Sequence, residues 1–147
     1  MIELDWIFPM GQFRGEMHAR RDALANFRVL HEAAGARLKD WVQHNFEEAG
    51  GLLDDQPSGW PRLSAATLAA KRGRGQSAQP LVATGRLRAG FTAAANNDSA
   101  EVSNSVPYAR FHQLGDGVPR RAVFPQPEQA ARIVWPDVLL HVEEALA

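Results

Sequence analysis

Tyr108 and His112 are, by type, the residues of this chain best suited to moving a proton. They stand four positions apart in VPYARFHQLG, residues 106–115, so one turn of helix sets phenol and imidazole on the same face. General acid–base chemistry also asks for a group that orients the imidazole, and no carboxylate stands at a usable local spacing. The spacing therefore favours scaffold over catalysis. On that reading Tyr108 packs under nearby strands with its hydroxyl bonded to backbone.

The remaining histidines, His18, His31, His44 and His141, form no H-E-x-x-H and no pair at metal-binding helical spacing with a carboxylate partner. No metal site is expected. His31 falls on an apolar stripe and reads as a hydrogen-bonded core histidine. The G-x-S-x-G nucleophile elbow, the P-loop and G-x-G-x-x-G are absent. Residues 73–75 are glycine-rich, yet the Lys-Ser and preceding strand of a phosphate cradle are missing. Asp54 and Asp55 read as a solvated acidic loop pair. Asn97-Asp98-Ser99 matches a glycosylation sequon, which carries no meaning without a secretory signal. With no cysteine there is no thiolate nucleophile, thiolate metal site or disulfide framework. These absences lead to the expectation of no cofactor and no enzyme activity.

The elements that must hold these residues follow from periodicity. Ile2, Leu4, Trp6 and Phe8 alternate with other residues, a period that predicts an extended arm or strand over 1–12. From about Met17 to Ala49 the period becomes helical. Phe27, His31, Ala34, Leu38, Trp41 and Phe46 fall near one stripe, and Gly50-Gly51 stops the helix. Gly35, costly inside a helix by ~1 kcal/mol, marks a close packing contact. Trp60 is the one large apolar anchor of the loop GLLDDQPSGWP, residues 51–61.

Ser64 N-caps a short helix reaching about Arg72, and residues 71–80 have the composition of a flexible basic loop. Residues 81–87 read as a turn or short helix interrupted by Gly85. AGFTAAA and AEVSNSV flank Asn96-Asn97-Asp98-Ser99, which predicts an antiparallel hairpin. Val106-Pro107 favours an extended approach, then a turn of helix that Gly115 stops. RRAVF, residues 120–124, is a strand candidate, and ARIVW, residues 131–135, either pairs with it or begins the last helix. Pro136 suits the first turn of a closing helix over 136–146. The fold class is α+β in one domain, residues 1–147: a long N-terminal helix on a small antiparallel sheet, a short helix and a C-terminal helix.

A length of 147 residues supports one core that buries roughly 70% of the unfolded surface. The opening MIELDWIFPM carries acids where a secretory signal needs bases, and no apolar run nears the ~18 residues of a membrane span. A chain that stays on the side of the membrane where it is made is expected. Net charge is −1, which argues against a general nucleic-acid binder. Its distribution is uneven: residues 1–60 sum to −4, residues 61–95 to +6 with no acid, and residues 96–147 to −3. A basic middle between acidic ends is either a solvated loop or a surface that meets an acidic element of another copy.

Taken in order, GWPRLSAATLAAK, LVATGRLRAGF, VPYARFHQLG and PRRAVF resemble the Mu-like phage virion morphogenesis family, small tail-completion or neck proteins. The resemblance spans roughly Phe27 to Phe124. It sets Ser58-Gly59-Trp60 on the family's tryptophan region and Thr67 and Lys71 on its short helix. Leu81, Thr84, Gly85, Leu87 and Arg88 match one block; Tyr108, Ala109, His112, Gln113 and Gly115 match the next. The arm IELDWIFPM and the proline-free RRAVF depart from the family pattern.

The resemblance implies a structural protein that completes the tail or joins head to tail at the neck by forming a ring. Two alternatives stay open: a terminator capping the tail tube, and a capsid-assembly helper absent from finished particles. Trp60, Thr84, Gly85, Tyr108, His112 and Gly115 are then motif residues of the scaffold. Lys71, Arg72, Arg74, Arg86 and Arg88 are the candidate interface, facing an acidic neighbour or channel DNA. The implied partners are further copies of the chain and adjoining connector or tail proteins, with no membrane. The implied location is the virion neck or tail, after assembly in the host cytoplasm. A nucleic-acid-binding domain that uses Arg86, Arg88 and residues 71–74 is the remaining rival.

Overall fold

The structure, a computed structural model, describes residues 18–22 and 25–147. The arm expected over 1–12 lies outside the described residues. The fold is α+β, as its patterning predicts. Helix α1 (Arg28–Glu47) is followed by α2 (Ala65–Gly73) and the single turn α3 (Arg86–Ala89). A hairpin of β1 (Phe91–Ala95) and β2 (Ala100–Asn104) comes next, then α4 (Ala109–Leu114) and α5 (Pro127–Leu146).

The long helix does not run unbroken from Met17. Residues 18–22 are helical, but Asn26 and Phe27 are not, and α1 starts at Arg28. Asparagine offers the backbone competing hydrogen bonds and so weakens a helix at this point. The buried face of α1 carries Leu30, Ala34, Gly35, Val42, Asn45 and Phe46, while Phe27 is exposed. Gly35 faces the hairpin, but the space there is ordinary and does not by itself require glycine. A Cβ there would lie 3.6 Å from the Ala93 side chain, because α1 rests on the hairpin.

The hairpin pairs Phe91 with Asn104 and Ala95 with Ala100 in antiparallel register. Its turn is held by Asn96, whose Oδ1 accepts from the Asp98 and Ser99 amides at 2.8 Å each. That is the local chemistry expected of an Asx residue opening a tight turn. Ser64 caps α2 by accepting from the Thr67 amide at 3.2 Å.

The core gathers Val42, Phe46, Trp60, Leu87, Phe91, Val106 and Val123. Phe46 meets Trp60 edge-on at 5.2 Å between ring centroids, an arrangement that aromatic quadrupoles favour. Leu30, Ala34, Leu53 and Ala122 are also buried.

Two expectations about the last third need correction. Residues 120–124 form no strand, although 121–123 are buried. Side chains take the place of a neighbouring strand. Gln113 accepts from the Val123 and Phe124 amides through Oε1 and donates to the Phe124 carbonyl through Nε2, at 2.9–3.0 Å. Trp60 donates to the Ala122 carbonyl at 2.7 Å, Asn45 to the Val123 carbonyl at 3.4 Å and Gln56 to the Arg120 carbonyl at 3.0 Å. A backbone satisfied in this way needs no ladder.

The closing helix also begins earlier than Pro136. Pro127 takes the first-turn position, and the helix continues through Pro136 to Leu146, absorbing ARIVW. Pro136 removes one helical hydrogen bond. It lies on the exposed side with Arg132, the residue whose carbonyl loses its donor. Contacts with α1 and the following loop on both sides of the proline hold the helix. Gln129 donates to the Leu52 carbonyl and accepts from the Asp54 amide, and Asp137 takes a two-pronged pair from Arg37.

Candidate assembly surface and basic pocket

The run 106–115 folds as its spacing predicts. Val106 is buried, the turn follows Pro107, α4 occupies Ala109–Leu114, and Gly115 ends it in the left-handed region at φ 77°. A Cβ on Gly115 would also lie 2.9 Å from the Arg120 side chain, so both backbone angle and space require glycine there. Tyr108 departs from expectation. It is 41% exposed, and its hydroxyl has no hydrogen bond among the described residues. It stacks edge-on with His112 at 6.2 Å instead of packing under the hairpin. The reason is register: Tyr108 precedes α4, so its ring lies beside His112 on the outer wall while Val106 fills the core.

Tyr108 and His112 share a recess of about 240 Å³ with Thr67, Lys71, Thr84, Gly85, Arg86 and Arg121. The structure thus brings most of the motif residues to one place, although they lie far apart in the chain. Trp60 is elsewhere, buried in the core beneath. Among the described residues no Asp or Glu lines the recess. Burial, and then the charge of Arg121, push the proton affinities of Lys71 and His112 below their ordinary values. Burial alone does the same to Arg121.

The candidate interface cations divide into two sets. Arg72, Arg74 and Arg86 are exposed. Lys71 is buried, its ammonium donating to the Gln79 carbonyl at 2.7 Å and the Val82 carbonyl at 3.4 Å. It therefore ties down the back of the 71–80 segment. Arg88 bonds Gln43 at 3.0 Å and Glu47 at 2.8 Å, fastening α3 to α1. Both are cations that the fold spends internally.

Sequence reasoning did not single out Arg121 and Gln113 for their roles. Arg121 is buried and donates to the Pro61 and Arg62 carbonyls at 2.9 and 3.3 Å. Its position after Arg120 in a basic pair offered no signal of burial. Gln113 does lie in a motif block, and an amide beside a histidine is the one clue to a backbone-clamping role. Two of the other histidines make polar contacts. His31 Nδ1 lies 2.9 Å from the Asn96 carbonyl and is half-buried, and exposed His44 sits 3.3 Å from Glu47. Among the described residues no group of histidines and acids is arranged to hold a metal ion.

A second surface lies on α5. Trp135, Leu139, Val142 and Leu146 follow one another by four, three and four residues, so they form a single helical face, and all are exposed. The other side of α5 packs on α1, where an open groove of about 670 Å³ is bordered by Trp41, Ile133 and the Arg37–Asp137 pair.

The α+β scaffold, the recess lined by motif residues and an apolar helix face that is exposed among the described residues accompany the motif order that resembles the virion morphogenesis family. The model of the phage virion morphogenesis family matches residues 13–136, and the chain belongs to that family. The match reaches beyond the motif-bearing Phe27–Phe124 at both ends. Comparisons with curated proteins and with solved structures return no match. Among the described residues no helix is long and apolar enough to cross a membrane.

Proposed function

We propose that the protein is a structural component of the phage neck or tail end, which completes the tail or joins head to tail by assembling into a ring. The observation that carries this reading is the α5 face. Its four large apolar side chains are between 36 and 56% exposed. A contiguous apolar face of this kind on a small domain marks a protein contact. Identical chains that meet through two different patches close into a ring when their rotation permits. The exposed Arg72, Arg74 and Arg86 supply a patch of opposite character to the acidic ends of the chain.

Size-exclusion chromatography with light scattering, followed by negative-stain microscopy, tests the reading. The expected result is a ring, alone or on purified tails, that Trp135→Glu/Leu139→Glu abolishes without lowering the melting temperature. A chain that stays monomeric with tails present would refute ring assembly. Mass spectrometry of purified particles tests the placement: absence from the particle would make the protein an assembly helper.

A further inference from the structure

The recess at the motif residues has the composition of a receptor for negative charge. Lys71 comes from the last turn of α2, Arg86 from α3, His112 from α4 and Arg121 from the buried segment after it. Lys71 and Arg121 are buried, and neither is in an ion pair among the described residues. Buried cations are ordinarily paired with an anion. Here backbone carbonyls accept some of the N–H groups, but dipoles leave the net positive charge standing. His112 Nδ1 is buried and has no hydrogen-bond partner among the described residues. Two buried cations and an imidazole face one space in which the described residues place no acid.

We propose that this recess receives a glutamate or aspartate side chain from a neighbouring protein subunit. The inference rests on the reading that other subunits are what this protein contacts. Shape favours a carboxylate on a side chain over a nucleic-acid phosphate. The innermost cations are buried, so an entering anion must be carried on a thin tether. Leu63, Leu81 and Ala83 line the same space and offer apolar surface for the methylenes of a glutamate. A duplex presents its phosphates on a stiff cylinder and meets exposed cations first. A carboxylate in the recess would accept from the Lys71 and Arg121 N–H groups, with the Thr84 and Tyr108 hydroxyls as further donors at its wall.

The test uses the full chain at low ionic strength, titrated with N-acetyl-glutamate N-methylamide, with the imidazole signals of His112 followed by NMR and assigned through His112→Gln. The signals are expected to move saturably, and the neutral glutamine counterpart to bind at least about tenfold more weakly. Arg86→Gln, at an exposed position, is expected to weaken the glutamate analogue about threefold or more with an unchanged melting temperature. Equal responses to the glutamate and glutamine analogues would overturn the proposal, as would an Arg86→Gln curve that overlays the wild type. Inorganic phosphate or a short DNA duplex saturating at lower concentration than the glutamate analogue would also overturn it. The titration reads the isolated chain, so saturable glutamate binding by a protein that never forms rings would sink the ring and leave the recess standing.

Discussion

Truncating Trp60 tests how the interior is held. The indole is 6% exposed, meets Phe46 at 5.2 Å and donates to the Ala122 carbonyl at 2.7 Å. Trp60→Phe keeps an aromatic ring but strands that buried carbonyl, which costs about 1–3 kcal/mol. Trp60→Ala also opens a cavity in the centre of the core and costs about 3–5 kcal/mol. For a domain of this size each kcal/mol lowers the melting temperature by about 2–4 °C, so the alanine variant should melt roughly 6–20 °C lower.

Far-ultraviolet circular dichroism is the suitable readout, because the chain has four tryptophans and fluorescence would mix them. A neighbouring glycine gives an internal check. A Cβ on Gly50 would lie 2.3 Å from Trp60 Cδ1, and Gly50 sits at φ 85°. Gly50→Ala therefore combines a clash with about 1–2 kcal/mol of backbone strain. In the Trp60→Ala background the clash disappears and the strain remains, so the double variant should lose less stability than the two single losses together. A Trp60→Ala melt within about 3 °C of the wild type would refute the assigned role, given the expected size of the loss. Strict additivity with Gly50→Ala would refute the contact.

Tyr108→Ala should cost less than about 1 kcal/mol, because its ring is half in solvent; a thermal melt checks this, and a loss on the Trp60 scale would contradict its exposure. Asn45→Ala should cost about 1–3 kcal/mol by stranding the Leu52 amide and the Val123 carbonyl, read as a lower urea midpoint with unchanged slope. Two pH effects follow from linkage. Burial and Arg121 hold the folded proton affinity of His112 below its ordinary 6.5, so the unfolded chain binds more protons there. Stability should fall as pH drops through that value, and His112→Gln should flatten that limb of the urea-midpoint profile. Burial works to raise Asp55, but hydrogen bonds from Gln126 and Arg120, with the Arg120 charge, hold it below 3.8. Its contribution is present above that value and lost as pH falls through the lower folded value; Asp55→Asn should remove this more acidic step.

The elements legible in the sequence are those whose partners lie a few residues away. Asn96 turns the hairpin with amides two and three positions on, and Ser64 caps its helix with an amide three positions on. The stop at Gly50-Gly51 and the exit at Gly115 have the same local character. The apolar anchor Trp60 was legible from its isolation in a polar loop, although its partner Ala122 was not.

The sequence alone determined the α+β class, the hairpin, the Ser64-capped helix and, through the order of its motifs, the family. Only the tertiary structure decided that 120–124 is held by side chains and forms no strand, that Pro136 lies inside a helix, and that Lys71 turns inward while Tyr108 turns out. Each of these depends on groups that are distant in the chain: Trp60 and Asn45 meet Ala122 and Val123 from 62 and 78 residues away. Local pattern cannot encode such pairs, because a buried amide and a solvated one look alike until the chain closes and removes water from one of them.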